Sequence, residues 1–248
     1  MRVIKLVIAY DGTGFHGWQN QEAGNSERTV QGVIEDSLKR MHGHEIALTG
    51  AGRTDAGVHA AGQVANFTTT IKTIKPGRFI QALNGLLPKD VRVIKADEAN
   101  EGFHARFDAR LRTYRYFFIC GRHALPHESR FALQLWTRPP VNLLNAYCRL
   151  LHGELDCTVF AGAGDLSLSR NRYISHAVFF IEGDRLVFEI CANAFLRKMV
   201  RSVAGTFIHH AGLGTPPELI NNIIVSGDRS LAGPTLPPQG LFLWKVDY

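Results

Sequence analysis

Alternating strand and helix patterns run through this chain twice, and that repeat restricts the fold more than any single residue does. Residues 3–10, Val3-Ile4-Lys5-Leu6-Val7-Ile8-Ala9-Tyr10, are rich in β-branched side chains and are closed by Asp11-Gly12, so they read as a strand. Residues 29–42 place Val30, Val33, Ile34, Leu38 and Met41 at helical spacing, with Glu35, Asp36, Lys39 and Arg40 for the wet face. Extended stretches at 45–50 and 62–69, a helix at 77–86 and a strand at 91–96 complete the order β-α-β-β-α-β. The second half gives a strand at 112–119, a helix at 141–152, strands at 173–182 and 185–192, a helix at 195–211 and a last strand at 241–247. Gly183-Asp184 is a turn dipeptide that makes the middle two a hairpin.

The pattern predicts an α+β protein of two similar β-α-β-β-α-β (ferredoxin-like) halves, each an antiparallel sheet with helices on one face, joined around a central cleft. The halves divide near residue 110, giving an N-terminal domain 1–110 and a C-terminal domain 111–248. A single continuous sheet with decoration fits the same element order. Gly212 to Pro217 and Gly233 to Gly240 read as loops.

With 45% hydrophobic and 20% charged residues, the chain lies far from the composition of disordered proteins. Lys and Arg outnumber Asp and Glu by 28 to 22, a net +6, which favours encounter with polyanions without establishing it. Cys120, Cys148, Cys157 and Cys191 are scattered and form no C-x-x-C pair, so reduced, mostly buried thiols are expected. No stretch approaches the roughly 18 apolar residues of a membrane span, and the N-terminus has no secretory pattern; a cytoplasmic protein is the expectation.

The strongest local signal is Gly50-Ala51-Gly52-Arg53-Thr54-Asp55-Ala56-Gly57-Val58-His59-Ala60-Ala61-Gly62. Glycine admits positive φ and close approach to the main chain, so charged residues embedded among glycines suit a ligand-facing loop. A plain turn in which Asp55 caps the following residues satisfies the spacing equally.

Gly52-Arg53-Thr54-Asp55-Ala56-Gly57-Val58-His59-Ala60 resembles the signature loop of the TruA-type tRNA pseudouridine synthases. Further blocks resemble that family in its own order. They are Tyr10-Asp11-Gly12-Thr13-Gly14-Phe15-His16-Gly17-Trp18-Gln19, Gly62-Gln63-Val64, Leu83-Asn84-Gly85-Leu86-Leu87-Pro88, Phe103-His104-Ala105-Arg106-Phe107 and Tyr114-Arg115-Tyr116. Ala192-Asn193-Ala194-Phe195-Leu196-Arg197-Lys198-Met199-Val200-Arg201 and Gly240-Leu241 complete the series. The resemblance implies a cofactor-free isomerase that converts uridine to pseudouridine at positions 38, 39 and 40 in the anticodon arm of tRNA, working as a homodimer without a membrane or small-molecule cofactor. The cleft would then bind RNA.

Breaking the N1–C1′ bond, turning the uracil and rejoining it through C5 requires a carboxylate that attacks, or that stabilises cationic sugar, and a later proton acceptor at C5. By resemblance Asp55 is that carboxylate, Arg201 is the arginine that pairs with it, Tyr114 packs against the target base and is a candidate for C5 proton removal, and Arg53 helps displace the base. Attack on C1′, attack on C6 and a glycal route all stay open. On pattern alone Arg201 reads as a solvated helix residue four positions after Arg197 on one helical face, and Tyr114 as a strand aromatic sharing its face with Tyr116.

Arg106, Arg110, Arg112, Arg115, Arg170, Arg172, Arg197 and Lys198 lie near strand or helix ends and suit a phosphate backbone, or scattered surface charge. The family's Ser/Thr-Val-Arg stretch is replaced here by Ser167-Leu168-Ser169-Arg170-Asn171-Arg172-Tyr173-Ile174, where Arg172 takes the arginine's place, after a glycine-rich loop Phe160-Ala161-Gly162-Ala163-Gly164-Asp165. The rivals are a non-catalytic RNA-binding protein and a metal-dependent RNA hydrolase using Asp11, His16, Asp55 and His59. The latter four sit in separate loops with no H-x-x-x-H or H-E-x-x-H helix, so no metal is expected.

Overall fold

The computed structural model describes residues 1–19 and 27–248. They form a mixed α/β chain in two compact units, Met1–Arg110 with Phe242–Tyr248, and Leu111–Leu241. Ten strands and five helices are present among the described residues.

In the first unit, β1 (Arg2–Tyr10) lies between β4 (Val91–Ala99) and β3 (His59–Thr69), antiparallel to both. The alternation read from residues 3–10 is kept: Ile4, Leu6, Ile8 and Tyr10 are buried. Ile4 pairs with Phe67, whose ring meets Phe79 edge-on at 5.6 Å, so this sheet face packs on α2 (Arg78–Leu86). Helix α1 (Val30–His42) starts at Thr29, whose hydroxyl accepts the Gly32 N–H, and stops at Gly43 in the left-handed region at φ 75°. It buries Val30, Ile34 and Leu38.

The stretch expected to be extended at 45–50 forms only a two-residue strand, β2 (Thr49–Gly50). The Glu35 carboxylate takes the Leu48 N–H at 3.0 Å, withdrawing that donor from any ladder. The last strand, β10 (Leu241–Asp247), pairs in parallel with β3 through Phe242–His59 and Leu243–Ala60. Residues Phe242–Tyr248, which chain order assigns to the C-terminal half, therefore group with the first unit.

In the second unit the sheet order is β5 (Leu111–Cys120), β9 (Arg185–Ala192), β8 (Asn171–Glu182), β7 (Gly153–Asp156), and the short β6 (Leu133–Leu135) runs parallel beside β5. The hairpin at Gly183-Asp184 is present. Stacked pairs Tyr116–Phe118 and Phe179–Phe188, with centroids 4.6 and 4.5 Å apart, help fill the core. Tyr147 of α3 (Val141–Arg149) meets Phe207 of α4 (Met199–Gly212) at 5.4 Å.

Two departures from the sequence reading bear on function. Helix α4 begins at Met199 rather than 195, because the Asp165 carboxylate captures the Arg197 N–H and Lys198 sits in the left-handed region at φ 59°. Arg197 and Arg201 are therefore not two residues on one helical face. Past the end of α4, a further helix α5 (Pro217–Ser226) follows a proline at its first position and ends at Gly227 in the left-handed region.

No helix of the described residues is long and apolar enough to cross a membrane. Cys120, Cys148, Cys157 and Cys191 are free thiols, and burial pushes Cys157 up to about 12.

Candidate active-site elements

The Asp55 loop is built by three layers of backbone contact within the first unit. Below it, Ala51 donates to the Val64 carbonyl at 2.7 Å, and the fully buried Gln63 amide donates to the Gly52 carbonyl at 2.8 Å. Beside it, the segment Asp11–Trp18 runs along the loop: the Trp18 N–H donates to the Thr54 carbonyl at 3.1 Å and the Gly57 N–H donates to the Phe15 carbonyl at 3.2 Å. The Thr54 hydroxyl meets the Tyr10 hydroxyl at 2.8 Å. Behind that segment stands the start of α1, where Val30 and Gln31 donate to the carbonyls of Gly17 and Trp18. Every backbone group named here is paired, which is what a buried irregular segment requires.

Glycine is needed at two points of this contact. A Cβ on Gly12 would sit 2.0 Å from the Val58 carbonyl oxygen. Gly17 lies at φ 96°, and its Cβ would meet the Thr54 oxygen at 2.6 Å. By contrast a Cβ on Gly52 meets nothing within 4 Å. Phe15 is clamped by Arg28, whose guanidinium lies 3.9 Å from its ring centroid and forks onto Asp90 at 2.8 and 2.9 Å.

Asp55 emerges half-buried, its carbonyl closing the turn by accepting the Val58 N–H at 3.1 Å. Arg53 is exposed and donates through Nε to the Gln19 side chain at 2.9 Å. His59 is fully buried and uses Nδ1 to accept the Gly12 N–H at 3.0 Å. Among the described residues no group of three or more His, Cys, Asp or Glu side chains stands together as metal ligands would. His16 is exposed and lies 3.8 Å from Glu27.

The second unit carries the other residues singled out by sequence. Tyr114 lies on β5 opposite Ile190, 9% exposed, with the Phe195 ring edge-on at 5.0 Å. Arg201, half-buried on α4, donates through Nε to the Leu236 carbonyl at 2.7 Å, and the Leu236 N–H returns to the Arg201 carbonyl at 3.3 Å. That reciprocal contact depends on a face of α4 that sequence reasoning missed. A Cβ on Gly205 would lie 1.8 Å from the Pro234 oxygen, Ser202 meets the Thr235 hydroxyl at 2.9 Å, and Thr206 accepts the Gly233 N–H at 3.1 Å. The segment after Gly233 is thus docked on the helix and fixes the Arg201 side chain. A glycine and two hydroxyls in the middle of an apolar helix were the available signal.

Arg197 is exposed and Lys198 half-buried, both in the turn before α4 and braced by the glycine-rich loop: Gly162 donates to the Arg197 carbonyl at 2.8 Å. Burial alone would raise the Asp165 carboxyl, yet the backbone N–H groups of Arg197 and Ser167 and the Arg170 guanidinium at 3.0 Å outweigh it and hold it below the ordinary range. Arg172 turns onto its own neighbourhood, donating to the carbonyls of Ser169 and Asn171 at 2.9 and 2.6 Å. In the first unit Arg106 is exposed, its guanidinium 5.8 Å from the Phe107 ring.

A family model described as tRNA pseudouridine synthase matches residues 6–108 and 147–248, spans that include both the Asp55 loop and the Arg201 helix. The chain belongs to the tRNA pseudouridine synthase family, enzymes that isomerise uridine. A protein named tRNA pseudouridine synthase A from Treponema denticola is 51% identical over 247 residues, covering 99% of this chain and 92% of the relative. Its namesake from Treponema pallidum is 46% identical over 236 residues, covering 94% and 84%. One from Caldicellulosiruptor saccharolyticus is 39% identical over 249 residues, covering 100% of each.

Proposed function

We propose that this synthase isomerises uridine in tRNA at positions 38, 39 and 40 of the anticodon arm, with Asp55 as the catalytic carboxylate. Family membership and the naming of the relatives as tRNA pseudouridine synthase A support the substrate class. The observation that carries the choice of residue is the Asp55 loop itself: a carboxylate on a half-exposed turn whose backbone is pinned by Trp18, Phe15 and Gln63. A group so held presents one geometry to a substrate, as nucleophilic or electrostatic catalysis requires.

The reaction balances without an oxidant: the N1–C1′ bond breaks, C5–C1′ forms, C5 loses its proton and N1 gains one. Tyr114 packs the base and accepts the C5 proton, Arg53 fills the space the base vacates, and Arg201 supplies the cation that pairs with the carboxylate. Support for Arg201 lies in its fixed side chain, anchored to Leu236. Arg106, Arg172, Arg197 and Lys198 contribute phosphate contacts. The order β4-β1-β3, with α1 and α2 both meeting Phe67 through His42 and Phe79, supports the split β-α-β plan for the first unit. The active species is a homodimer in the cytoplasm, and light scattering that returned one 27.5 kDa chain would count against the dimer.

The deciding experiment is tritium release from C5-labelled uridine in unmodified tRNA. Wild type releases it in the presence of chelator and Asp55→Asn does not, while the variant still binds tRNA and melts cooperatively. Release by Asp55→Asn at the wild-type rate would remove Asp55 from the mechanism; no release by wild type from several tRNAs would remove the reading as a whole.

A further inference from the structure

A turn in the first unit holds a nearly bare aromatic ring in a fixed pose. In Phe103-His104-Ala105-Arg106-Phe107-Asp108, Phe107 is 77% exposed, and its ring lies on the His104 imidazole with centroids 4.2 Å apart and planes 26° apart. His104 is itself locked. Its Nδ1 accepts the backbone N–H groups of Arg106 and Phe107, each at 3.2 Å, and the His104 backbone N–H donates to the Asp108 carboxylate at 2.9 Å. The Asp108 N–H returns to the His104 carbonyl at 3.0 Å.

The turn is also fastened to the sheet. The Ala105 N–H donates to Asn66 Oδ1 at 2.8 Å, and the Ala105 carbonyl accepts the Tyr248 hydroxyl at 2.8 Å. Lys5 stands 5.4 Å from the Phe103 ring and 5.3 Å from the Tyr248 ring, and Arg106 5.8 Å from the Phe107 ring.

Single exposed hydrophobic residues are ordinary on protein surfaces and need no special account. Phe107 differs because the ring is ordered without being buried. One face is backed by the His104 imidazole, the ring stays 77% exposed, and the Arg106 guanidinium lies over it at 5.8 Å. A flat aromatic backed by a second ring and flanked by a guanidinium has the chemistry that holds a nucleobase: the ring offers a stacking surface and the cation meets the neighbouring phosphate. A peptide or a lipid tail would need an apolar groove around the ring, and the neighbours of Phe107 in this turn are Arg106 and Asp108, both exposed.

We propose that Phe107 is a stacking platform for one unpaired base of the RNA substrate, with Arg106 on the adjoining phosphate. The proposal rests on the tRNA reading above and adds to it a contact distinct from the Asp55 loop.

The test uses the full chain and an unmodified tRNA transcript, and measures binding across a salt series, C5 tritium release and molar mass for Phe107→Ala, Phe107→Leu and Phe107→Trp. Stacking of one base predicts binding about 5- to 100-fold weaker for Ala and Leu, with Trp near wild type. The slope of affinity against salt stays unchanged, since no phosphate contact is lost, and turnover at saturating tRNA is retained. Arg106→Gln lowers the slope instead. Phe107→Leu binding as well as wild type would overturn the proposal, as would a change in molar mass, which would place Phe107 in a contact between protein chains. If wild type makes pseudouridine and every Phe107 variant binds normally, the platform falls alone. If wild type makes none while Phe107→Leu still weakens RNA binding, the platform stands and the isomerase reading falls.

Discussion

The backbone N–H of Gly12 donates to Nδ1 of His59 at 3.0 Å, where the imidazole has no solvent exposure. An imidazole accepting at Nδ1 is neutral and carries its proton on Nε2. Asp11 Oδ1 lies 3.2 Å from the same nitrogen, but a charged pair would need a proton there, which the Gly12 N–H displaces; Asp11 instead accepts from the Thr13 N–H and hydroxyl. His59 also stacks on Phe242 at 4.7 Å. Its role is to hold the start of the Asp11–Trp18 segment against the loop. His59→Ala leaves a buried N–H unpaired and opens a void, so urea denaturation should show a loss of about 2–4 kcal/mol. His59→Gln, which keeps an acceptor, should lose less; equal losses would mean that packing alone matters.

Two glycines of one site separate structural from functional need. Gly17→Ala places a Cβ 2.6 Å from the Thr54 oxygen at a φ of 96°, so it should cost about 2 kcal/mol or more and displace the turn that carries Asp55. Gly52→Ala meets nothing within 4 Å and should melt within about 0.5 kcal/mol of wild type. Thermal unfolding of the two variants reads the difference directly. A destabilised Gly52→Ala would show a strain at that residue that the geometry does not contain.

What the sequence made legible was local. The strand at 3–10, the helix at 29–42 and the hairpin at Gly183-Asp184 each carry their own periodicity or turn chemistry, and each is present. The failures were tertiary. The start of α4 moved because Asp165, thirty-two positions away, takes the Arg197 N–H, and β2 shrank because Glu35 takes that of Leu48. Helix α5 had signals, Pro217 at its first position, Ile220 and Ile224 one turn apart and Gly227 at its end, but it lies between two stretches read as loops and was given no element of its own. At the site, the glycine setting and the family blocks singled out Asp55, while the brace from Gly12 and Gly17 and the docking of Leu236 onto Arg201 follow from pairings no local pattern contains.

Acid stability should depend on an ion cluster in the second unit. Arg122 forks onto Glu128 at 2.8 and 2.9 Å and also reaches Asp184, while Glu128 accepts the Leu125 N–H at 2.9 Å. The Arg122 hydrogen bonds, then the Leu125 N–H, hold the Glu128 carboxyl down to about 2. A depressed folded-state value means that the unfolded chain binds the proton first, so this contribution is complete above the ordinary value of 4.5 and is lost as pH falls toward about 2. Denaturation midpoints between those two pH values should fall less steeply with acid in Glu128→Gln than in wild type. Parallel slopes would mean that the carboxylate keeps its pairing in the unfolded chain.

Two tyrosines on the same face of β5 should respond oppositely to loss of the hydroxyl. The Tyr116 hydroxyl donates to the Pro237 carbonyl, and burial pushes its phenol well above the ordinary value against a weaker pull from Arg201. It stays protonated and serves as a structural donor to the segment that also fixes Arg201. Tyr116→Phe leaves that carbonyl without its partner and should cost about 0.5–1.5 kcal/mol in stability. Tyr114, 9% exposed with the Phe195 ring edge-on at 5.0 Å, is the proposed acceptor of the C5 proton. Tyr114→Phe keeps the ring and its packing, so it should melt near wild type and retain tRNA affinity while tritium release falls by about 100-fold or more, the usual contribution of a positioned base. The comparison separates packing from chemistry. If Tyr114→Phe turns over normally, the ring alone is what the base needs, and the proton leaves to another acceptor.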